Sequence, residues 1–369
     1  MQQNIFDNFG LELNSNKSMT ATQFITQKKR VADYLRRFGL EGELAFHVIA
    51  YEYVLCYQER LANLPQAVVQ KWQAAYQKIE SESYVVNILR ELVTDDPLGD
   101  KLPEWYQFFI GRRYREGSGK FFTPKPIASA MARLLPFISN PIIIDPTCGG
   151  GTFLVEASYI WRHDKCTLIG NDIETSLVEL AMVTLGLVAP RHHIKHYSSV
   201  NIFDPTSELT KWNGRVDYIL ANPPFSLKIE YEQFDSKLFL SGYRNSDALF
   251  LDTAFKFLKP GGRLVCILPH SIVANKEFAK LRTIVEKTWN ILGIICLPEG
   301  VFHLSAGTTT RADIVVLEKQ KAHNKAPQKL IFASVPSVGI RLNSLVKSPV
   351  ANDLEKVLSN AEAKEAFTI

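Results

Sequence analysis

Between Pro141 and Pro298 one pattern recurs: a short run of Ile, Leu and Val stops at a polar or turn residue, and a helix-like stretch follows. The runs read PIIIDP, CTLIGND, RVDYILANPP, GRLVCILP and ILGIICLP. Apolar runs this continuous need burial on both faces, the situation of parallel strands covered by helices on each side. Their alternation with helices predicts a doubly wound, mostly parallel α/β sheet. Ligands of such sheets bind beyond the carboxyl ends of the strands, so functional residues are sought just after each run.

The preceding region follows a different grammar. From Thr20 to Leu102 apolar residues recur at three and four, as in Val31, Tyr34, Leu35 and Phe38, with breaks at Gly39 and Pro65. That spacing paints one stripe per helix and predicts an all-helical N-terminal domain, residues 1–110, without chemistry of its own. The sheet domain is expected over 111–319. A short C-terminal extension, 320–369, holds a strand in KLIFASV and one amphipathic helix in NDLEKVLSNAEAKEA. With 46% hydrophobic and 22% charged residues, the 369-residue chain is not disordered, collagen-like or a disulfide scaffold. Its five cysteines are scattered without a CxxC pair, which reads as reduced thiols and no metal site. No basic start leads into an apolar signal core and no run reaches membrane length, so a cytoplasmic protein without a membrane partner is expected. The net charge of +4 says little about partners.

The first strand end reads Ile144-Asp145-Pro146-Thr147-Cys148-Gly149-Gly150-Gly151-Thr152. Successive glycines let the backbone turn sharply and approach a ligand, although a plain strand-to-helix turn uses the same residues. Neither GxxxxGK[ST] nor GxGxxG is spelled, and Asp145 would repel a phosphate. A carboxylate there suits a positively charged ligand; S-adenosylmethionine, with its α-amino group and sulfonium, is such a ligand. Asp172 ends the next run, 21 residues after Gly151, where a carboxylate can accept hydrogen bonds from ribose hydroxyls or simply cap a helix.

The third run ends in Asn222-Pro223-Pro224-Phe225. Two prolines fix φ twice and remove two donors, so the turn offers acceptors from the Asn222 side chain and the Pro223 carbonyl. Such a turn suits an exocyclic amino nitrogen: accepting its two hydrogens favours pyramidalisation as it attacks a methyl sulfonium. Phe225 offers a face on which a base can stack. A proline-rich turn anchored by a buried Phe is the bland alternative.

Taken in order, Phe121-Phe122-Thr123-Pro124, DPTCGGGTFL, GND, ILANPPF and ALFLDTAFKFLKPGGRLVCILP resemble the amino-methyltransferases of DNA, and most closely the modification subunits of type I restriction-modification systems, in the gamma motif order. The resemblance covers residues 120–319 and extends more weakly to the helical region and the tail. It implies a Rossmann-like S-adenosylmethionine-dependent fold, with Lys120, Phe121, Phe122, Thr123, Pro124, Asp145, Gly149, Gly150, Gly151, Thr152, Asp172 and Asn201 at the cofactor. Asp204 is a near rival of Asn201. Asn222, Pro223, Pro224 and Phe225 would be catalytic, and Asn-Pro-Pro-Phe resembles N6-adenine more than N4-cytosine enzymes. The loop departs from the commoner Ala-Cys-Gly-Ser-Gly by keeping small residues. The segment from NPPF to LKPGG is short, and residues 320–369 leave no room for a target-recognition domain.

The implied partners are therefore DNA and a separate specificity subunit, and whether a restriction subunit accompanies them stays open. Residues 101–133 carry seven basic side chains (Lys101, Arg112, Arg113, Arg115, Lys120, Lys125, Arg133) against Glu104 and Glu116, which could form a basic rim for phosphates or a solvated linker. A base in a duplex would have to be flipped out to reach the site. Two alternatives stay open: methylation of RNA or of protein glutamine, and a non-catalytic cofactor-binding subunit.

Overall fold

A computed structural model describes residues 20–115, 122–229, 242–302, 311–321, 329–339 and 351–368. The chain divides into two compact units, Met1–Phe109 and Ile110–Ile369.

The described part of the first unit is helical: α1 (Ala21–Arg37), α2 (Glu43–Cys56), α3 (Gln66–Tyr76), α4 (Ser83–Thr94) and the start of α5 (Leu102–Arg115), within which the division falls. Thr20 opens α1 with a capping box: its hydroxyl accepts from the Gln23 N–H while the Gln23 side chain accepts from the Thr20 N–H. Helix α2 is buried over much of its circumference, so it forms the centre of this unit. Two of its buried polar residues are paired within the unit: Tyr53 donates to Asp96 at 2.5 Å, and Glu52 accepts from Tyr76 at 2.5 Å and from Arg90 at 3.0 Å.

Among the described residues of the second unit eight strands form one sheet, β1 (Ile142–Asp145), β2 (Thr167–Asn171), β3 (Ile194–Ser198), β4 (Val216–Ala221), β5 (Leu258–Pro269), β6 (Trp289–Cys296), β7 (Ala312–Lys319) and β8 (Ile331–Ser334). Their spatial order is β3-β2-β1-β4-β5-β7-β6-β8, and β7 alone runs antiparallel to its neighbours. Helices α6 (Lys125–Ala132), α7 (Thr152–Ile160), α8 (Thr175–Val188), α9 (Ser246–Phe257) and α10 (Ala279–Thr288) belong to the same unit. The five apolar runs are β1, β2, β4, β5 and β6, and their Ile, Leu and Val side chains supply much of the core. After β1 the chain builds outward through β2 to β3, then returns to lay β4 on the other side of β1. That reversal opens a crevice beyond the carboxyl ends of β1 and β4.

The tail is part of this sheet. Strand β8 pairs with β6, and two helices, α11 (Leu354–Ser359) and α12 (Ala361–Phe367), replace the single expected one, because the Asn360 side chain accepts from Ala363 N–H and starts a second helix. Phe367 is fully buried against Gly293, where any Cβ would stand 2.6 Å from its ring. The buried Arg263 donates to the carbonyls of Leu134 and Phe367. Residues 329–339 and 351–368 thus pack onto one side of the sheet. Among the described residues no helix is long and apolar enough to cross a membrane.

Candidate active site

A cleft partly open to solvent lies at the β1/β4 crevice. Its walls come from the ends of four strands. Pro146, Thr147 and Gly149 follow β1, Asp172 and Ile173 follow β2, Val200 to Phe203 follow β3, and Asn222 and Pro224 follow β4. Phe122, Leu177, Leu227 and Ile229 complete the lining.

The three glycines divide their work. Gly149, at φ +49°, has open space where a Cβ would stand, and it lines the cleft. Gly151, at φ +83°, caps α7, and a Cβ there would lie 3.0 Å from that of Ala181. A Cβ on Gly150 would lie 2.9 Å from Leu180 Cδ2 and 3.2 Å from the Phe122 ring. Gly150 and Gly151 therefore allow α8 and Phe122 to pack against the loop, and neither they nor Thr152 line the cleft, contrary to the expected approach of all three glycines to a ligand.

Asp172 is held as a loop acceptor: Gly149 N–H donates to its Oδ2 at 3.1 Å and Glu174 N–H to its Oδ1 at 3.0 Å. Its carboxylate still borders the cleft. Asp145 differs. It is fully buried beneath the loop, outside the lining; Oδ1 accepts from Thr147 N–H at 3.1 Å and Oδ2 has no partner. Burial, with Asp172 nearby, pushes its carboxyl well above the usual range. The expected direct contact between a charged Asp145 and a cationic ligand is thus not what the lining provides. Cys148 is buried, and burial first, with Asp145 adding to it, raises its thiol well above the ordinary value.

At the β4 turn, burial alternates along an extended chain: Asn222 and Pro224 face the cleft while Pro223 and Phe225 point inward. Phe225 is 7% exposed, its ring edge-to-face with Phe302 at 6.3 Å, so the face assigned to a stacking base is covered. The Asn222 amide is oriented from outside the turn, since its Nδ2 donates to Thr123 Oγ1 at 3.1 Å. That leaves Oδ1, buried and without a hydrogen-bond partner, as the free acceptor. Thr123 thus serves the Asn222–Phe225 turn, and Phe122 the cleft wall. Pro124 caps α6. Lys120 and Phe121 lie outside the described residues.

Asn201 lines the cleft, its Oδ1 accepting from Phe203 N–H at 2.9 Å, whereas Asp204 faces a neighbouring depression and accepts from Thr206. Of the basic rim, Lys101 pairs with Asp95 at 2.9 Å and Arg133 with Glu355 at 2.7 Å. The side chains of Arg112, Arg113 and Arg115 lie outside the described residues.

Several residues were not legible from motifs. Asn171 is buried and uses its whole amide: Nδ2 donates to the carbonyls of Pro146 and Val200, and Oδ1 accepts from Ser198 Oγ and Val200 N–H. It ties together the loops after β1, β2 and β3, and its signal was a polar residue inside an apolar run. Thr147 lines the cleft with a buried, unpartnered hydroxyl. Ile173, 56% exposed directly after Asp172, is the kind of apolar residue that marks a ligand wall. Away from the cleft, His270, Cys296 and Asp313 bring their polar atoms within 4.8 Å of one another, with His270 Nδ1 2.8 Å from Asp313 Oδ2, a cluster that sequence spacing does not reveal.

The strand order, the reversal point and the glycine loop define the fold of the S-adenosylmethionine-dependent methyltransferases. A Listeria monocytogenes protein described as a member of class I of these enzymes superposes with a TM-score of 0.54 at 22% identity, covering 86% of this chain and 94% of that one. A type I restriction-modification system methyltransferase subunit from Streptococcus thermophilus gives a TM-score of 0.56 at 22% identity, covering 99% and 77%. Residues 97–365 match the N-6 DNA methylase family, and the chain belongs to it. The type I restriction enzyme MjaVII methylase subunit of Methanocaldococcus jannaschii is 25% identical over 299 residues, which cover 74% of this chain and 49% of the relative. The chain thus spans about half the length of that relative.

Proposed function

We propose that the chain transfers a methyl group from S-adenosylmethionine to the N6 amino group of adenine in DNA, as the modification subunit of a restriction-modification system in which a separate specificity subunit selects the target. The observation that carries this reading is Asn222: a buried amide oxygen without a donor, in a cleft, on a turn whose prolines cannot supply one. A buried acceptor left unpaired costs about 1–3 kcal/mol, and an amino group bound in the cleft would remove that cost.

The cleft fits the cofactor. Asp172 and Asn201 are polar groups at the ends of β2 and β3, and Ile173, Val200, Ile202 and Phe203 make an apolar wall suited to a purine ring. The Thr147 hydroxyl is a further unpaired partner. The cofactor supplies an electrophilic methyl sulfonium. Asn222 Oδ1 accepts a hydrogen of the acceptor amine, draws its lone pair out of conjugation and stabilises the positive charge that develops on nitrogen. Thr123 keeps that oxygen pointed at the amine. A duplex adenine reaches the cleft only after it is flipped out. DNA and subunit partners are in keeping with the type I methylase subunits among the relatives.

Base-resolved methylation sequencing of host DNA, with and without this gene, tests the reading. The expected result is N6-methyladenine at one sequence motif, lost on deletion. Unchanged adenine methylation, with label from the methyl donor entering protein glutamine or RNA instead, overturns it.

A further inference from the structure

The Asn222–Phe225 turn has two successive prolines at its centre. Pro223 and Pro224 carry no N–H, so the backbone there makes no donor bond of its own. Immediately after it, Ser226 adopts φ +56°, a conformation that a non-glycine residue rarely takes without support. That support comes from the first turn of α9. Ser246 Oγ donates to the Pro224 carbonyl at 2.7 Å and accepts from Leu227 N–H at 3.1 Å, while Ser246 N–H donates to the Leu227 carbonyl at 2.8 Å. Asp247 Oδ2 accepts from Ser226 N–H at 2.8 Å and from Asn245 Nδ2 at 3.4 Å. Ser246 and Asp247 are 0% and 1% exposed.

We infer that Ser246 and Asp247 are positioning residues that clamp the Asn222–Phe225 turn, fixing the Asn222 acceptor against the amine that is to be methylated. The inference rests on the proposed function for its catalytic readout. Neither side chain lines the cleft, so they act through the turn. Asp247 keeps one buried oxygen without a partner, and burial pushes its carboxyl up to about 6. A stabilising role alone does not account for that cost, whereas an acceptor required at the Ser226 amide does. A misplacement of about 1 Å at a reacting group can cost on the order of 100-fold in rate.

The test compares Asp247→Ala, Asp247→Asn and Ser246→Ala in the full-length chain, with cofactor affinity, single-turnover methylation of DNA and hydrogen exchange over residues 222–229 as readouts. Asp247→Asn keeps an amide oxygen for Ser226 and is the conservative control. The clamp predicts that Asp247→Ala and Ser246→Ala lower the methylation rate roughly 10- to 100-fold, speed exchange over 222–229 by a similar factor and leave cofactor affinity within about twofold. Asp247→Asn restores most of the rate and protection. Unchanged exchange and rate in Asp247→Ala and Ser246→Ala overturn the clamp, as does a Asp247→Asn variant that folds yet loses rate like the alanine. If Asp247→Ala does not fold, Asp247→Asn and Ser246→Ala decide by the same criteria. If the wild type methylates no DNA the proposed function fails, while exchange at 222–229 still decides the clamp.

Discussion

Two strand ends of one sheet meet at the cleft, and they are built on opposite plans. At the β1 and β2 ends the Asp172 and Asn171 side chains are tied into the loops: Asp172 satisfies two loop amides, Asn171 joins three loops, and Gly150 and Gly151 serve helix packing, while Thr147 Oγ1 and Asp145 Oδ2 stay unpaired. After β4 the turn leaves the Asn222 oxygen unpaired and depends on α9 and Thr123 for its position. Loops fixed by Asp172 and Asn171 make a stable seat for a ligand present through many encounters. An orphaned acceptor costs stability and gains only when the reacting amine arrives. On the proposed function, the difference divides the work into cofactor binding at the β1 and β2 ends and chemistry at the β4 turn.

The largest effect on the binding side comes from Asp172→Ala. It should weaken cofactor binding roughly 10- to 100-fold, the worth of about one or two charge-assisted hydrogen bonds, while the rate at saturating cofactor changes by no more than about threefold. Calorimetric titration and single-turnover kinetics read the two quantities. A saturated rate that falls in parallel would blur the comparison.

Acidity should act on the β4 side. Asp247 is ordinarily ionised above pH 4, but its folded carboxyl is pushed up to about 6 by burial, with Cys266 as a neighbouring titratable group. A raised carboxyl makes its contribution below the unfolded value, and loses it as pH rises through the folded value. Wild type should therefore lose on the order of 2–3 kcal/mol from this group between pH 4 and 7. Urea unfolding at both pH values should show Asp247→Asn gaining on wild type as pH rises, and a pH-independent difference would contradict the burial argument.

Gly151→Ala tests the packing role of the glycine loop. Strain at φ +83° and the contact with Ala181 should cost roughly 1–3 kcal/mol of stability. Thermal unfolding measures it, and an unchanged Tm would return Gly151 to the role of a ligand contact. The smallest effect separates Asn201 from Asp204. Asn201→Ala should weaken cofactor binding by a few-fold, about 1 kcal/mol, whereas Asp204→Ala, outside the cleft lining, should leave it unchanged.

What was legible in the sequence follows from burial. Strands β1, β2, β4 and the apolar half of β5 are covered on both faces and, with the partly covered β6, wrote themselves as apolar runs, and their ends carried the glycine loop, Asp172 and the Asn-Pro-Pro-Phe turn. Strand β3, at the sheet edge with a partly exposed pattern, left no such run. The reversed sense of β7 was not legible either, because strand direction depends on the connection and not on the run itself. Side-chain direction was hidden as well. Phe225 and Asp145 sit in the expected motifs but point into the core, and alternation along an extended turn decides which residues face a cleft. Asn171, Ser246 and Asp247 act through contacts between distant segments, and Phe367 meets Gly293 only because the tail folds back onto β6.

The division of labour is tested most directly by Asn222→Ala, with cofactor affinity and single-turnover methylation of DNA measured on the same preparation. Removing a positioned acceptor should lower the rate about 100- to 1,000-fold, with the cofactor dissociation constant within about twofold of wild type. A retained rate, or a loss that arises from weakened cofactor binding, would contradict the assignment of chemistry to the β4 turn.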